Sequence, residues 1–246
     1  MLRTETSIDY NELWENNPSH SSHPSVRLRN KFIINTLKNE SFETLLDAGC
    51  GDGFLLNLID NKFYGKKLTG IDISGFVIEK NKNSFNNINF EILDISAIGL
   101  EFNNVYDVVT CSEVIEHLAN WQLALKNIYE LLKKEGLLIL TTQSGKRYKS
   151  DMKLGHLQHY PLSYLTDELI KCGFDIKEAY KKGFPFYNLQ KILFEKIESA
   201  ANDFQHGSTG MSVFGKIIFY ITYILFLITP RTKNFGPQIF IKAVKK

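Results

Sequence analysis

The stretch Leu45-Leu-Asp-Ala-Gly-Cys-Gly-Asp-Gly53 decides the fold. Two leucines end an apolar strand, Asp47 follows, and three alternating glycines precede an apolar run that begins at Phe54. Glycine lets the backbone turn tightly and lets a ligand approach without meeting a Cβ atom. A strand, a glycine turn and a helix N-terminus form the place where α/β sheets hold nucleotide-like ligands. The stretch therefore predicts a ligand site of this kind.

The segments that follow repeat the same arrangement. A dinucleotide fingerprint G-x-G-x-x-G needs glycine at position 54, so the phenylalanine there argues against it. Lys67 to Asp72 forms a second predicted strand that ends on an acid, and Ile88 to Ile92 forms a third. Val105 to Cys111 forms a fourth. An amphipathic helix is predicted over Trp121 to Leu132, Gly136 ends it, and Leu137 to Thr142 forms the fifth strand. Strands and helices are predicted to alternate from 44 to 142, which favours a parallel sheet with helices on both faces.

In this order, five segments resemble a class I S-adenosylmethionine-dependent methyltransferase across about residues 10–180: LLDAGCGDG, TGIDIS, EILDI, YDVVTCSEVIEHL and KKEGLLILTT. The resemblance implies a Rossmann-like three-layer α/β sandwich with a seven-stranded, mostly parallel sheet. Its antiparallel last strand, at 238–244, would lie between the fifth and sixth strands. We divide the chain into an N-terminal lid and helix (1–40), a cofactor-binding core (41–184), a helical insertion with an apolar helix (185–235) and the final strand (236–246).

The resemblance implies roles around S-adenosyl-L-methionine. The glycine turn would pass under the methionine tail, Asp72 would take the ribose hydroxyls, and Asp94 would accept from the adenine amine. The full predicted set is Asp47, Gly49, Gly51, Gly53, Asp72, Ile73, Asp94, Ile95, Ser112 and Arg29. Ile73 and Ile95 would flank adenine, while Asp47 and Ser112 would meet the tail. Arg29, with Arg27 as the alternative, is placed by similarity to the N-P-L-R-L-x-x-I entry of ubiquinone-type O-methyltransferases, where an arginine holds the cofactor carboxylate.

Methyl transfer to a hydroxyl requires that the hydroxyl lose a proton, and histidine suits that task near neutral pH. His117 is the first candidate base, because the Glu-His pair after the fourth strand faces the acceptor in the resembled proteins. His156 and His159, in the predicted polar loop 143–161, are the next candidates. Three aromatic residues are expected to close the acceptor pocket: Tyr10, Trp14 and Tyr148. We expect no required metal.

The composition and the motifs that are missing narrow the classes of molecule that the protein is expected to bind. Lysine and arginine total 29 and acidic residues 27, for a net charge of +2, which disfavours a general grip on nucleic acid. The three cysteines are far apart, so reduced thiols and a cytoplasmic location are expected. The fourth strand is not followed by an Asn-Pro-Pro-Tyr or Asp-Pro-Pro-Tyr motif, which disfavours methylation of base amines. The acceptor is therefore expected to be a small molecule, a sugar or a lipid-linked molecule, and oxygen is the atom that we expect to be methylated.

Other readings stay open at this point. The acceptor could be the nitrogen of a small metabolite, or the chain could be a non-catalytic protein with a methyltransferase fold that binds a membrane or a partner. Tyr129 to Lys133 also matches the Y-x-x-x-K pattern of nicotinamide-dependent reductases.

One apolar segment, at 211–230, needs a separate explanation. Its uninterrupted part, Ile217 to Ile228, covers roughly 18 Å as a helix, which is short of the ~20 residues that a membrane span needs. We rank a structural or homodimer-forming helix first and docking on a membrane surface, at its inner face, second. A true span ranks third.

Overall fold

The computed structural model describes residues 9–16, 24–99, 104–196 and 213–246. Its sheet has seven strands: β1 (Thr44–Ala48), β2 (Lys67–Asp72), β3 (Ile88–Ile92), β4 (Tyr106–Ser112), β5 (Leu132–Gln143), β6 (Phe174–Lys182) and β7 (Gln238–Lys245). The spatial order is β3-β2-β1-β4-β5-β7-β6. The first five strands are parallel, and β7 runs antiparallel to both β5 and β6. The predicted sheet and the predicted place of its last strand are both confirmed.

Helices cover both faces of the sheet. They are α1 (Tyr10–Asn16), α2 (Pro24–Leu37), α3 (Phe54–Asp60), α4 (Gly75–Ser84), α5 (Trp121–Leu131), α6 (Lys149–Lys153), α7 (Leu162–Lys171), α8 (Phe186–Lys196) and α9 (Val213–Ile228). Successive strand residues point to opposite faces. Leu45 thus packs with residues of α2, α3 and α4, whereas Leu46 packs with residues of α5 and α7. The apolar run of β1 is buried on both sides, as its sequence predicts.

The boundary between α5 and β5 differs from the prediction, which continued the helix through Leu132, ended it at Gly136 and began the strand at Leu137. The helix ends at Leu131, and Leu132 is already extended and pairs with Tyr106. The next pair along the ladder joins Val108 to Leu137, so the residues between bulge out of β5. Leu132 is fully buried, and its burial draws the chain into the sheet five residues early.

Two further expectations are wrong in part. In the β3–β4 connection, the described residues 93–99 and 104–105 contain turns and no helix, so the predicted alternation fails there. The predicted polar loop 143–161 contains the short helix α6, and Tyr160 in that loop is a core residue that is 1% exposed. The Tyr160 hydroxyl donates to the Ile115 carbonyl, which explains how a tyrosine is accommodated in the core.

The predicted N-terminal and C-terminal additions are described only in part. Positions 1–8 and 17–23 of the predicted lid, and 197–212 of the predicted insertion, lie outside the described residues. Helix α9 packs along α2 and α8. Among the described helices, none combines the length and the apolar character that crossing a membrane requires.

Candidate active site

The glycine turn lies at the carboxyl ends of the parallel strands. The amides of Gly49 and Cys50 both donate to the Ile71 carbonyl, at 2.8 and 2.9 Å, which ties the turn to β2. Gly49 and Gly51 have φ angles of 76° and 50°, in the left-handed region that favours glycine. A Cβ atom at Gly49 would lie 2.3 Å from Val114 Cγ2, so the turn also needs glycine for space. The geometry is that of a cradle with little room above its backbone.

The N-terminal helix α1 lies over this turn. A Cβ atom at Gly51 would lie 2.5 Å from Trp14 Cζ2, so the indole ring rests on the turn. Asn11 Oδ1 accepts from Ser74 Oγ and from the Phe76 amide, at 2.8 and 3.1 Å, which fastens α1 to the start of α4. One helical turn before Trp14, Tyr10 meets His117 edge-on, with ring centroids 6.0 Å apart. The structure thus brings the two predicted lid aromatics to the glycine turn and to the first candidate base.

Asp72 ends β2 and faces the glycine turn. Its two carboxylate oxygens accept from the amides of Gly51 and Ser74, at 3.0 and 2.9 Å. Burial raises the pKa of Asp72, and these backbone hydrogen bonds oppose the rise. The carboxylate is therefore fixed beside the turn.

The predicted adenine-side residues follow β2 and β3. Ile73 is half-buried directly after Asp72. Asp94 is also half-buried, and its Oδ1 accepts from the amide and the hydroxyl of Ser96, at 2.8 and 2.7 Å, so it stabilises a turn. Ile95 is 4% exposed and packs in the core, while its carbonyl accepts from Asn127 Nδ2 at 2.7 Å. Ile95 has little surface left for a ligand.

Asp47, at this edge of the sheet, has an unusually high pKa for a carboxyl group. Its Oδ1 accepts from Thr110 Oγ1 at 2.6 Å, and the side chain is buried. Burial raises the pKa of Asp47 to about 7, and the charges of Asp72 and Asp52 add to the rise, while the Thr110 hydrogen bond lowers it. Three carboxyl groups around one turn produce a negative potential that suits a cationic ligand.

A cationic ligand at this turn would favour ionised Asp47. Because its pKa is about 7 in the free protein, we expect ligand binding at pH 7 to release roughly half a proton from this group. Affinity for S-adenosylmethionine is then lower at pH 6 than at pH 8, since at pH 6 binding must first remove that proton. Calorimetry in buffers of different ionisation enthalpy measures the released proton, and Asp47→Asn is expected to abolish it. A proton count that Asp47→Asn leaves unchanged would contradict this assignment.

A second polar cluster surrounds Glu113, directly after β4. Gln143 Nε2 and Gln238 Nε2 donate to its two carboxylate oxygens at 2.6 and 2.8 Å, and Arg29 Nη1 lies 3.6 Å from Oε2. Burial raises the pKa of Glu113, but the Arg29 charge and the two amide hydrogen bonds outweigh it and bring the net pKa below its usual value. Glu113 is thus a partly buried, ionised carboxylate. Its φ of 59° is the strained left-handed conformation, which is common at functional sites.

Glu116, three residues further on, has its pKa shifted in the opposite direction. It is fully buried, and Oε2 accepts from Thr142 Oγ1 at 2.7 Å, while Oε1 has no partner among the described residues. Burial, together with the charge of Glu113, raises the pKa of Glu116 well above its usual value. The pKa values of two neighbouring carboxyl groups are therefore shifted in opposite directions, downward for Glu113 and upward for Glu116.

Three histidines gather next to these carboxyl groups. The rings of His117 and His156 lie 4.7 Å apart, and His156 Nδ1 lies 3.0 Å from His159 Nε2. His117 ends the 3₁₀ turn Ile115–His117, and its buried Nδ1 has no hydrogen-bond partner among the described residues. Burial lowers the pKa of His117 to about 4 and lowers that of the other two histidines as well. All three imidazoles are neutral at pH 7, which is the form that accepts a proton.

Asp151 and Lys191 close the far side of the histidine cluster. Lys191 Nζ donates to Asp151 Oδ1 and to Gln143 Oε1, both at 2.9 Å, and all three side chains are buried. Asp151 Oδ2 lies 3.9 Å from His159 Nε2. Two groups here have ligand atoms close enough to share a metal ion: Glu116 with His117 and His156, and Asp151 with His156 and His159. In the second group Lys191 already occupies one carboxylate oxygen and adds a positive charge.

The remaining predicted residues take more peripheral positions. Ser112 Oγ lies 2.8 Å from Thr141 Oγ1, at the carboxyl ends of β4 and β5. Tyr148 is half-buried before α6, and its amide donates to Asp151 Oδ2 at 2.9 Å. Sequence reasoning missed Glu113, Gln143, Lys191 and Gln238 as members of the site. The only sequence signal was the Glu-x-x-Glu-His order after β4, since the other partners come from distant positions.

The reductase pattern lies elsewhere. Lys133 Nζ pairs with Asp107 at 2.7 Å, and Asp107 also binds the amide of Thr44, the first residue of β1. Lys133 is therefore at the amino-terminal edge of the sheet, opposite the glycine turn. Tyr129 packs edge-on against Phe174 on the same side.

The sheet order, the glycine turn and the acid after β2 define a class I S-adenosylmethionine-dependent methyltransferase fold. A family model described as a methyltransferase domain matches residues 23–179, more than half of the chain, and the chain belongs to that family. It is similar to the ubiquinone biosynthesis O-methyltransferase of Coxiella burnetii, with 32% identity over 160 residues, 58% of this chain and 65% of that protein. The corresponding protein of Nitrosomonas europaea is 30% identical over 129 residues, 51% of this chain and 53% of the relative. The chain thus spans between half and two thirds of these curated relatives.

Solved structures show the same fold at lower sequence identity. The cyclase SpnF matches with a TM-score of 0.61 and 16% identity, over 89% of this chain and 80% of that one. The phosphoethanolamine N-methyltransferase 2 of Haemonchus contortus, solved with S-adenosyl-L-methionine, matches with a TM-score of 0.59 and 17% identity, over 97% of this chain and 60% of that one. These two proteins carry out different reactions on one fold, so the reaction must be argued from the site.

Proposed function

We propose that this chain transfers the methyl group of S-adenosyl-L-methionine to a hydroxyl oxygen of a small-molecule or lipid-linked acceptor. The observation that carries the proposal is the negatively charged glycine cradle at the ends of β1 and β2, next to a cluster of neutral histidines that are buried or half-buried. Oxygen is favoured because several relatives are named O-methyltransferases. These include the malonyl-(acyl-carrier protein) O-methyltransferase of Acetivibrio thermocellus, which is 28% identical over 159 residues.

The residues of the cradle fit the cofactor. It supplies, when bound, an electrophilic methyl group on a positively charged sulfur. We assign the turn at Gly49, Gly51 and Gly53 to the methionine tail and Asp72 to the ribose hydroxyls. The turn has no side chain at Gly49, Gly51 and Gly53, and the acidic groups Asp47, Asp52 and Asp72 lie around it, which together suit a cationic ligand that approaches the backbone closely. Asp94, Ile73 and Ser112 stay proposed contacts of the adenine and of the tail.

We propose His117 as the base. Tyr10 touches it from the same face of α1 that places Trp14 on the glycine turn, four residues and about 6 Å further along the helix. Helix α1 thus covers both the glycine cradle and His117. Its neutral ring accepts the hydroxyl proton, and His156, which lies against it, is positioned to share the resulting charge. Ionised Glu113 stabilises that charge, since its Coulomb interaction raises the pKa of His117.

We propose for Arg29 a role other than the predicted contact with the cofactor carboxylate. Its guanidinium is the strongest positive charge acting on the partly buried Glu113 carboxylate, and Lys191 adds a weaker one. We propose that Arg29 positions Glu113 and keeps it ionised. Water exclusion by Trp14 and Tyr10 strengthens these interactions, because electrostatic forces grow as solvent leaves a site.

We propose that the reaction requires no metal ion. The sulfonium is already activated, and alignment with proton removal is sufficient for methyl transfer. Treatment with EDTA followed by gel filtration is expected to leave the turnover rate unchanged, because Lys191 holds Asp151 and the histidines act as bases. The control is the same enzyme with Mg²⁺ or Zn²⁺ restored. A loss of activity that an added metal reverses would instead assign the histidine cluster to metal binding.

Equilibrium binding tests the proposal directly. Isothermal calorimetry with S-adenosylhomocysteine is expected to show saturable binding, and the same titration with NADPH is expected to show none. A methyl-transfer assay with catechols, anilines and their alkylated analogues then separates oxygen from nitrogen as the acceptor. Absence of S-adenosylhomocysteine binding would overturn the function. Binding without transfer to any acceptor would favour a non-catalytic protein.

We propose a cytoplasmic location. Cys50 and Cys111 are free and buried, which is compatible with a reducing compartment.

A further inference from the structure

Helix α9 presents an apolar stripe to solvent. Five large side chains of α9 are between 42% and 66% exposed: Ile217, Tyr220, Ile221, Ile224 and Ile228. Their spacing of three, one, three and four residues places them on one side of a helix. Isolated exposed apolar residues are ordinary, but a continuous row on one element marks an interaction surface.

The opposite side of α9 holds the helix firmly to the protein. Phe226 is fully buried and meets Tyr187 of α8, with ring centroids 4.8 Å apart. Thr229, just after the helix, accepts from the Gly183 amide at 3.1 Å. Because β7 returns into the sheet after α9, the helix lies along the body of the molecule. The stripe therefore faces outward on a fixed element.

Positive charge gathers where the stripe ends. Lys182 Nζ donates to the Leu227 carbonyl at 3.1 Å, and Lys31 and Arg231 are near enough to lower the pKa of Lys182 further, after burial. Arg231 pairs with Glu178 on β6, the acidic group that faces this end, and still has a side chain that is 62% exposed. Lys31 and Lys233 are also exposed.

The area of the stripe, taken over the side chains that the structure describes, is small for a contact with a second copy of this chain. From Ile217 to Ile228 it is about 18 Å long and roughly 10 Å wide, or about 180 Å². Exposed Leu189 and Ile192 on the neighbouring helix α8 enlarge it modestly. A stable dimer buries about 800 Å² per partner, several times this area. A lipid surface has no such requirement, because apolar side chains on one helix enter the headgroup region individually.

We propose that the stripe of α9 docks this protein on an anionic lipid surface, with the apolar side chains inserted and the cationic end held by lipid headgroups. The docking itself needs no catalytic activity. Its use, delivery of a lipid-linked acceptor, rests on the proposed function. Two contacts join the buried side of α9 to the candidate site, since Phe226 touches Tyr187, and the Tyr187 hydroxyl lies 3.5 Å from Gln143 Nε2.

Vesicle flotation tests the docking. The full chain is mixed with vesicles of phosphatidylcholine alone or of phosphatidylcholine with phosphatidylglycerol. We expect the protein to float with the anionic vesicles and much less with the neutral ones. The double variant Ile221→Ser with Ile224→Ser is expected to reduce the bound fraction at least about tenfold, and Lys233→Gln is expected to weaken binding to anionic vesicles only. Ile98→Ser, at a position that is 88% exposed elsewhere on the surface, is the matched control and should float like the unchanged protein.

The possible results separate the alternatives. Absence of flotation with anionic vesicles overturns the proposal, as does equal flotation of the double variant and the unchanged protein. A dimer in analytical ultracentrifugation that the double variant abolishes, without vesicle binding, assigns the stripe to a second copy and also overturns it. Calorimetry with S-adenosylhomocysteine is run on the same samples and should be equal for all variants. Flotation without S-adenosylhomocysteine binding would sustain the docking and overturn only the function.

Discussion

Replacing His117 by alanine is expected to lower the turnover number by about 100-fold to 10,000-fold, the usual contribution of a positioned general base. The physical reason is that His117 Nδ1 is buried and without a partner among the described residues, next to the lid that covers the cofactor cradle. Single-turnover methyl transfer to an alkyl catechol, with S-adenosylmethionine already bound, measures the effect. The affinity for S-adenosylhomocysteine is expected to stay at the wild-type value.

The neighbouring histidines provide the control for this prediction. His156→Gln and His159→Gln keep hydrogen-bonding capacity and leave His117 in place, so their effect on turnover is expected to be smaller. The pH profile adds a second readout. Because the pKa of His117 is about 4, the acidic limb of the rate at saturating cofactor should lie well below the ordinary histidine pKa of 6.5. Wild-type turnover in His117→Ala would transfer the role to another group.

Replacing Asp72 by alanine is expected to weaken S-adenosylhomocysteine binding by at least about tenfold, since hydrogen bonds to a charged group contribute ~1.5–3 kcal/mol. The variant removes the proposed contact with the ribose, together with the bonds from Gly51 and Ser74 that fix the turn. Isothermal calorimetry gives the dissociation constant directly.

Two further variants sharpen the result for Asp72. Asp72→Asn retains the shape and loses the charge, so intermediate binding is expected from it. Asp175→Ala removes an exposed carboxylate on β6, which pairs with Lys177, and should bind as the unchanged protein does. Thermal unfolding shows whether the turn variants stay folded. Binding by Asp72→Ala at the wild-type level would exclude this residue from the cofactor site.

The sheet could be predicted from the sequence because each strand is indicated by residues within its own short segment. The strands β1 to β4 contain apolar residues and have an acid or a glycine at or just after their ends, and the bounds predicted for β2, β3 and β4 agree with the observed bounds within one residue. The α5–β5 boundary could not be predicted in this way. Leu132 continues the apolar pattern of the helix, and only its pairing with Tyr106 and its burial in the core make it a strand residue.

The candidate site also has one part that could be predicted from neighbouring residues and one part that could not. The cradle and Asp72 lie within about 25 residues of sequence, and their order alone indicates their purpose. The environment of Glu113 depends instead on Arg29, Gln143 and Gln238, which meet only after the whole sheet has formed. The sequence resemblance assigns Arg29 to the cofactor, because nothing in the neighbouring sequence shows that the Glu113 carboxylate would lie beside it.

The position of β7 has a consequence for how the protein is made. This strand lies between β5 and β6, its residues Ile239, Ile241 and Ala243 are fully buried, and its first residue, Gln238, donates to Glu113. A nascent chain that has not yet passed Lys245 on the ribosome therefore lacks an interior strand of the sheet and the Gln238 contact to Glu113. Pairing over a hundred residues of separation is slow, because loop closure must come first. Folding and catalytic competence are thus expected to arrive together, after translation of β7.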